Sequence, residues 1–183
     1  MNVIFLDIDG CCNSVHTKEF LTIPPYNFTG IDDKFIKRLA HIIKYTDAKI
    51  VLTSDWGCTN LGTMHWEYLL DKFAKFGLEI DYVIDWNRYR NRQYRATAIK
   101  DWLKEHKVNR YVVIDDEYFN GYEAPEINNH LFYCFDGEDI PEKYCGITAS
   151  MKNRITAYLL GCWTLRDNYT DEAAMKYLKR LWS

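Results

Sequence analysis

The sequence predicts an α/β protein in which a five-stranded, mainly parallel sheet lies between two layers of helices. Short apolar runs alternate along the chain with stretches whose apolar residues have helical spacing, and this alternation is typical of strands joined by right-handed helical crossovers. Three of the apolar runs also end in polar side chains. These side chains are Asp7 and Asp9, Thr53 and Ser54, and Asp115 and Asp116. Because such sheets bind ligands outside the carboxyl ends of their strands, the three groups should converge on one site.

The first apolar run, residues 3–6, predicts a buried strand of a parallel sheet. It leads directly into Asp7-Ile8-Asp9-Gly10. Residues two apart on a strand share a face, so Asp7 and Asp9 should point the same way while Ile8 enters the core. Gly10 then allows the backbone to turn. Two adjacent carboxylates are costly to bury without a cation, and a hard divalent ion such as Mg²⁺ suits them.

The other elements follow in order along the chain. Residues 11–30 are polar and turn-rich, with Pro24 and Pro25 near the middle, and predict a loop or small excursion over the strand ends. Apolar runs predict further strands at residues 49–54, 78–84, 110–116 and 130–135. Helical spacing predicts helices that begin at about residues 32–33, 63, 95, 148 and 170–171, most of them behind an Asp or Thr that can cap the first turn.

Composition restricts the class of protein. The chain has 183 residues, enough for a substantial core, and we predict a single domain over residues 1–183. A net charge of −3 argues against a large nucleic-acid footprint. The first apolar run is too short for a signal peptide, and no run is long enough to span a membrane. We therefore expect a cytoplasmic protein.

The cysteines and histidines show no pattern of a metal site. The cysteines are Cys11, Cys12, Cys58, Cys134, Cys145 and Cys162. None forms a Cys-x-x-Cys pair, which argues against zinc and favours free thiols. The five histidines are scattered without the spacing of metal ligands. The metal, if one is bound, should therefore be held by carboxylates.

The segment Asp7-Ile8-Asp9-Gly10 resembles motif I of the haloacid dehalogenase-like (HAD) superfamily, in its phosphatase branch, and later segments resemble the other motifs in the same order. The resemblance implies a Rossmann-like sheet with a minimal cap and a Mg²⁺-dependent phosphatase. Asp7 would be the nucleophile and form an aspartyl-phosphate. Asp9 would protonate the leaving oxygen and then activate water. The resemblance implies metal ligation by Asp7, by Asp9 through its backbone carbonyl, and by Asp116 or Asp115.

Two further roles implied by the resemblance each have two candidates. A hydroxyl after the second apolar strand would bind the phosphoryl oxygens; Thr53 fits best and Ser54 lies next to it. A cation near the start of the helix before the fourth strand would stabilise charge on the transferring group. Arg95 matches that position, and Lys100 is the second choice.

The chain is also similar to the small, nearly capless HAD domains of RNA-repair proteins. The segments that carry this likeness are residues 52–56 and 146–148. The gaps after the first and second strands are too short for a large cap, so we expect an open site that admits the end of a larger molecule. Cys11 and Cys12 depart from the motif, since the phosphatases usually have Thr or Val there. This departure leaves the substrate preference open.

A basic and aromatic stretch lies just before Arg95. Its members are Trp86, Arg88, Tyr89, Arg90, Arg92 and Tyr94. Cations with interleaved aromatic rings can hold phosphates and stack bases, which would make this stretch part of a substrate site. The alternative interpretation is a solvated loop.

We therefore predict a Mg²⁺-dependent phosphomonoester hydrolase that acts on phosphorylated nucleic-acid ends or nucleotides. The alternatives are a protein or small-molecule phosphatase, and a non-catalytic module that binds phosphate or nucleic-acid ends. Asp9 argues against the binding module, because phosphate binding alone needs no general acid. Dehalogenases lack the second aspartate, and a phospho-receiver domain carries its acidic pair on the first strand rather than the fourth.

Overall fold

The computed structural model describes residues 1–23, 26–57, 63–84 and 94–162. The strands are β1 (Asn2–Leu6), β2 (Phe20–Ile23), β3 (Tyr26–Thr29), β4 (Lys49–Leu52), β5 (Tyr82–Val83), β6 (Arg110–Asp115) and β7 (Leu131–Tyr133). The α-helices are α1 (Asp33–Thr46), α2 (Thr63–Ala74), α3 (Arg95–Glu105), α4 (Pro125–Asn128) and α5 (Ala149–Leu159). Short 3-10 turns occur at Asp55–Gly57 and Glu142–Tyr144.

The central sheet has five strands in the order β5-β4-β1-β6-β7, and every neighbouring pair is parallel. Alternate side chains of β1 enter two separate cores. Ile4 and Leu6 belong to the core that includes residues of α1 and α5, whereas Val3 and Phe5 belong to the core that includes residues of α3. A strand covered on both faces needs an unbroken apolar run, as β1 has. The predicted three-layer α/β class is confirmed.

The register of β1 with its two neighbours brings the ends of three strands level. Leu6 pairs with Leu52 of β4 and with Ile114 of β6. The pairing continues one residue further. The Asp7 N–H donates to the Ile114 carbonyl at 3.0 Å, and the N–H of Thr53, the residue after β4, donates to the Leu6 carbonyl at 2.8 Å. The polar residues that follow the three strands therefore start from one edge of the sheet.

Two of the predicted helix caps are present. The Asp32 side chain accepts a hydrogen bond from the Lys34 N–H at the start of α1. The Thr148 hydroxyl accepts from the Met151 N–H at the start of α5, at 3.1 Å. Side-chain caps of this kind are typically worth about 1 kcal/mol each, because they satisfy a backbone donor that the helix cannot. Both helices then pack on the same core of the sheet.

The polar segment between β1 and α1 contains an antiparallel hairpin, which the sequence did not predict as such. Phe20 pairs with Thr29, and Ile23 pairs with Tyr26. The β-branched and aromatic residues of β2 and β3 favour strands, but the turn-rich residues around them hid this preference. The hairpin is the small excursion that was predicted between the first strand and the first helix.

Other elements differ in length from the predictions. Residues 78–84 form only the two-residue strand β5, at the edge of the sheet. The Asp81 carboxylate accepts the Ile50 N–H at 2.9 Å and so takes a β4 donor that a longer β5 would use. The predicted strand at 130–135 is the shorter β7. The helix predicted from residues 170–171 lies outside the described residues.

The described cysteines are all free thiols, as predicted, and Cys58 lies outside the described part of the chain. Among the helices that the structure describes, none combines the length and the hydrophobicity that a bilayer crossing requires.

Candidate active site

Three carboxylates converge at the carboxyl edge of the sheet. One oxygen from each of Asp7, Asp115 and Asp116 lies within 4.8 Å of the others. Asp7 follows β1, and the acidic pair closes β6, so the register of these two strands brings the groups together. The Asp7 and Asp115 side chains are buried, and Asp116 is partly exposed. We call these three residues the acidic cluster.

Gly10 lets the acidic cluster form. Its backbone is in the left-handed region, with φ of +65°, and a Cβ added there would collide with the Asp116 carboxylate. Any other residue at this position would both strain the turn and displace Asp116. The glycine of the sequence motif is therefore required by a close approach as well as by the turn.

Arg95, the first residue of α3, supplies a positive charge to the acidic cluster. Its Nη1 atom lies 2.7 Å from Asp115 Oδ2 and 3.2 Å from Asp7 Oδ2. The side chain is buried, and its guanidinium lies over the Phe119 ring at 4.2 Å. Burial alone would lower the pKa of Arg95, but the carboxylates of Asp7 and Asp115 raise it above its ordinary value. Arg95 is therefore charged at every accessible pH.

Of the two residues that the sequence offered for this cation, Arg95 contacts the acidic cluster and Lys100, among the described residues, does not. Lys100 also lies on α3 and is half-buried. In the described part of the chain it makes no hydrogen bond or ion pair with Asp7, Asp115 or Asp116. Arg95 reaches the cluster because it opens the helix, at the end that faces the carboxyl edge of the sheet.

Asp115 is fully engaged by protein donors. Its Oδ2 atom accepts the Tyr122 hydroxyl at 2.6 Å as well as Arg95, and its Oδ1 atom accepts the Glu117 N–H at 3.1 Å. Asp116, by contrast, keeps part of its carboxylate exposed. Asp115 is therefore an anchor for Arg95, and Asp116 has more capacity left for a ligand. Tyr122 was missed by sequence reasoning, since no motif or period marks it.

The acidic cluster has more negative charge than its protein partners neutralise. Burial and then the Asp115 charge raise the pKa of Asp7 well above its ordinary value, against the opposing effect of Arg95. Burial, Asp115 and Glu117 raise the pKa of Asp116 from 3.8 to about 7. Burial also raises the pKa of Asp115, although Arg95 and Tyr122 oppose this. Three oxygen-donor carboxylates with one guanidinium fit a site for a hard cation.

The hydroxyls after β4 lie against the same edge. Thr53 is fully buried, and its Oγ1 atom has no hydrogen-bond partner in the described part of the chain. Ser54 is also buried, and its hydroxyl hydrogen-bonds the Asp7 side chain, which lowers the pKa of Asp7 slightly against the stronger causes that raise it. A buried hydroxyl without a partner is costly, so the Thr53 hydroxyl is suited to a ligand oxygen.

Asp9 lies apart from the acidic cluster. Its side chain is exposed, its Oδ1 atom accepts from Asn13 Nδ2 at 2.8 Å, and its Oδ2 atom accepts from the Trp56 indole N–H at 2.9 Å. Asp7 and Asp9, which we expected to share one face of the strand, therefore have different side-chain partners. The alternation of a strand ends with β1 at Leu6, and Asp9 is already in the turn. Metal contact through the Asp9 backbone carbonyl stays a prediction.

Cys11 and Cys12, which depart from the sequence motif, are core residues. Both are fully buried, and burial raises the pKa of each thiol well above its ordinary value. Cys11 also hydrogen-bonds the buried Cys134. The thiols are therefore protonated and fill space in the core near Asp7.

The predicted substrate residues Arg88, Arg90 and Arg92 lie outside the described residues. Tyr94, the last member of that stretch, is described and exposed. The arginine stretch therefore stays a prediction from sequence.

A comparison with known protein families gives a match. A family model described as "HAD domain in Swiss Army Knife RNA repair proteins" matches residues 3–138, which is most of the chain. No curated protein and no solved structure matches the chain significantly. The matched residues include the acidic cluster, Arg95, Thr53 and Asp9.

Proposed function

The chain belongs to the family of HAD domains found in Swiss Army Knife RNA repair proteins, and from this membership and the site geometry we propose that it is a Mg²⁺-dependent phosphomonoester hydrolase with Asp7 as nucleophile. Family membership supports a hydrolase. The observation that carries the finer proposal is the position of Asp7, buried between Arg95 and the Asp116 carboxylate at the carboxyl edge of the sheet.

In the first step, a carboxylate oxygen of Asp7 forms a bond to phosphorus while the bond from phosphorus to the leaving oxygen breaks. The leaving oxygen takes the proton of Asp9, whose side chain is exposed and so accessible to a substrate. Arg95, within 3.2 Å of Asp7, stabilises the negative charge of the transferring group. The Thr53 hydroxyl, which has no hydrogen-bond partner among the described residues, donates to a phosphoryl oxygen.

In the second step, a water oxygen forms a bond to phosphorus while the bond from phosphorus to the Asp7 oxygen breaks. Asp9, now a carboxylate, takes a proton from that water and returns to its acid form. Inorganic phosphate leaves, and Asp7 is again a free carboxylate. Each residue ends in the state in which it began, so the two steps form a complete catalytic cycle.

The acidic cluster fits Mg²⁺ by its chemistry. Asp7 and Asp116 have carboxylate oxygens for a hard cation, and the backbone carbonyl of Asp9 is the third protein ligand that we propose. When bound, the ion neutralises the repulsion between the phosphate and the attacking carboxylate. Asp115 holds Arg95 and Tyr122 in place beside these ligands.

Hydrolysis of p-nitrophenyl phosphate tests the proposal and its metal together. Activity should be absent in EDTA and return when Mg²⁺ is added, because the carboxylates and the phosphate repel each other without the ion. Thermal unfolding supplies a readout that does not depend on activity. Mg²⁺ should raise the midpoint more at about pH 8 than at about pH 5, since it binds ionised carboxylates.

The sign of this pH effect follows from Asp116, whose pKa is raised from 3.8 to about 7 in the folded protein. As pH rises between these values, the unfolded chain loses the proton first, so the metal-free fold loses stability. Asp116→Asn should remove the contribution of Asp116 to this loss, and most of the Mg²⁺ effect. Full hydrolysis in EDTA, or an Mg²⁺ effect equal at both pH values, would contradict the metal assignment.

We further propose that the substrate is the phosphorylated end of a nucleic acid. The family is defined by RNA-repair proteins, and the short hairpin of β2 and β3 is the only insertion between β1 and α1, so no large cap closes over the site in the described part of the chain. A site without a lid admits the end of a long molecule. The aromatic and basic stretch before Arg95 would hold that end, with stacking worth about 1–3 kcal/mol per base.

Replacement of Arg88, Arg90 and Arg92 by Ala tests this substrate. The triple variant should have a higher KM for a 3′-phosphorylated oligonucleotide, because phosphate contacts are lost, while p-nitrophenyl phosphate is hydrolysed at the original rate. Kinetics with both substrates at one salt concentration give the comparison. An equal effect on both substrates, or no cleavage of the oligonucleotide, would favour a small-molecule or protein phosphatase.

A further inference from the structure

Asp9 differs from the acidic cluster because side-chain donors hold both of its oxygens while the carboxylate remains exposed. Asn13 donates to Oδ1 at 2.8 Å, and the Trp56 indole donates to Oδ2 at 2.9 Å. One donor on each oxygen fixes the plane of the carboxylate as well as its position. An exposed aspartate would otherwise sample several rotamers.

The two donors are themselves fixed. Asn13 is 3% exposed. Its Oδ1 atom accepts the Gly10 N–H at 2.9 Å, so the amide nitrogen is the atom that faces Asp9. Trp56 is 5% exposed and packs edge-to-face against Phe28 of β3, with ring centroids 5.4 Å apart. An indole N–H can only donate. Neither donor can turn away from Asp9 without a rearrangement of buried side chains.

The segment after β4 also connects the two aspartates of the first motif. The Ser54 hydroxyl hydrogen-bonds Asp7, and Trp56, two residues later in the 3-10 turn Asp55–Gly57, donates to Asp9. One short segment, residues 54–56, therefore contacts both carboxylates, Asp7 through Ser54 and Asp9 through Trp56.

From this geometry we propose that Trp56 and Asn13 are positioning residues for the reaction, which hold Asp9 at the exposed mouth of the site where the leaving group departs. The inference rests on the proposed function and assigns these two residues a part in it. Proton transfer requires Asp9 within hydrogen-bond reach of the leaving oxygen, and a displacement of about 1 Å at a reacting group can cost about a hundredfold in rate.

The basicity of the leaving group separates this role from a structural one. When the bond from phosphorus to the leaving oxygen breaks, phenolate is a stronger base than p-nitrophenolate and depends more on the proton of Asp9. Phenyl phosphate and p-nitrophenyl phosphate share a ring, so binding differences between them are small. The ratio of their kcat/KM values reports only steps up to release of the leaving group, and general damage to the site would not change it.

Trp56→Phe removes the indole N–H and keeps an aromatic ring in the core. It should lower kcat/KM for phenyl phosphate about tenfold more than for p-nitrophenyl phosphate. This is less than the roughly 10²–10⁴-fold that general acid catalysis contributes, because Asp9 itself is kept. Asn13→Ser, whose side chain is too short to reach Asp9, should change the ratio in the same direction. Phe73→Leu is the matched control, because it loosens the core that contains Trp56 but leaves both the Trp56 N–H and the Phe28 ring in place, and it should leave the ratio unchanged.

Circular dichroism and thermal unfolding establish that each variant is folded, and Asn13→Ser provides the test if Trp56→Phe does not fold. Equal losses on the two esters, or no loss on either, in both variants would overturn the positioning role while the wild-type activity upholds the proposed function. If the wild-type protein hydrolyses neither ester, the proposed function itself fails and this inference fails with it.

Discussion

Asp7→Asn should abolish hydrolysis of phosphomonoesters, with kcat reduced by about 10⁴-fold or more, as for the loss of the nucleophile in other enzymes that form covalent intermediates. An amide oxygen is neutral and a poor nucleophile, so the first step cannot begin. The substitution preserves the size of a buried side chain. It also removes a carboxylate that is costly to ionise, because burial and the Asp115 charge raise the pKa of Asp7 well above its ordinary value.

The fold should therefore survive this substitution. In the metal-free protein we expect the Asp7→Asn variant to unfold at the same temperature as the wild type or at a higher one, since repulsion within the acidic cluster is relieved. Asp101→Asn is the matched control, because Asp101 lies on α3 outside the acidic cluster and pairs with the exposed Lys104. Near wild-type kcat in the Asp7→Asn variant would contradict the role of Asp7.

Arg95→Ala should produce the second large effect, on stability as well as on activity. The guanidinium is buried and pairs with both Asp7 and Asp115 at 3.2 and 2.7 Å. Its removal leaves two buried carboxylates without their cation, and breaking a buried pair in this way typically costs about 3–5 kcal/mol. Urea unfolding measures the free energy of unfolding, and kcat/KM with p-nitrophenyl phosphate measures the loss of transition-state stabilisation.

Two further variants complete this test. Arg95→Lys keeps a positive charge but loses the forked donor set, so it should recover part of the stability and less of the activity. Lys100→Ala alters a half-buried cation on the same helix and should change the free energy of unfolding by less than about 0.5 kcal/mol. If Lys100→Ala loses activity and Arg95→Ala does not, Lys100 rather than Arg95 is the cation of the site.

The convergence of the site could be predicted because it depends on one property of the strands. Parallel strands end at a common edge, and the apolar runs before Asp7, Thr53 and Asp115 marked three such strands. The same periodicity stopped being informative where β1 ends. It could not show that Asp9 turns to Asn13 and Trp56 rather than to the acidic cluster.

The partners that the sequence did not reveal are tertiary contacts without a local signal. Trp56 reaches Asp9 from a turn 47 residues away, and its path depends on how the hairpin of β2 and β3 packs. Tyr122 is close to Asp115 in sequence, but its hydroxyl reaches the carboxylate only because the intervening segment folds back. No hydrophobic period or capping residue predicts either contact.

Asp7 should become phosphorylated during turnover if it is the nucleophile. Rapid acid quenching of the protein with Mg²⁺ and excess p-nitrophenyl phosphate, followed by mass spectrometry of its peptides, tests this directly. We expect the peptide that contains Asp7 to gain the mass of one phosphoryl group, and we expect no gain in EDTA or in the Asp7→Asn variant. Steady hydrolysis without any phosphorylated peptide, or a phosphoryl group on a different residue, would contradict the account.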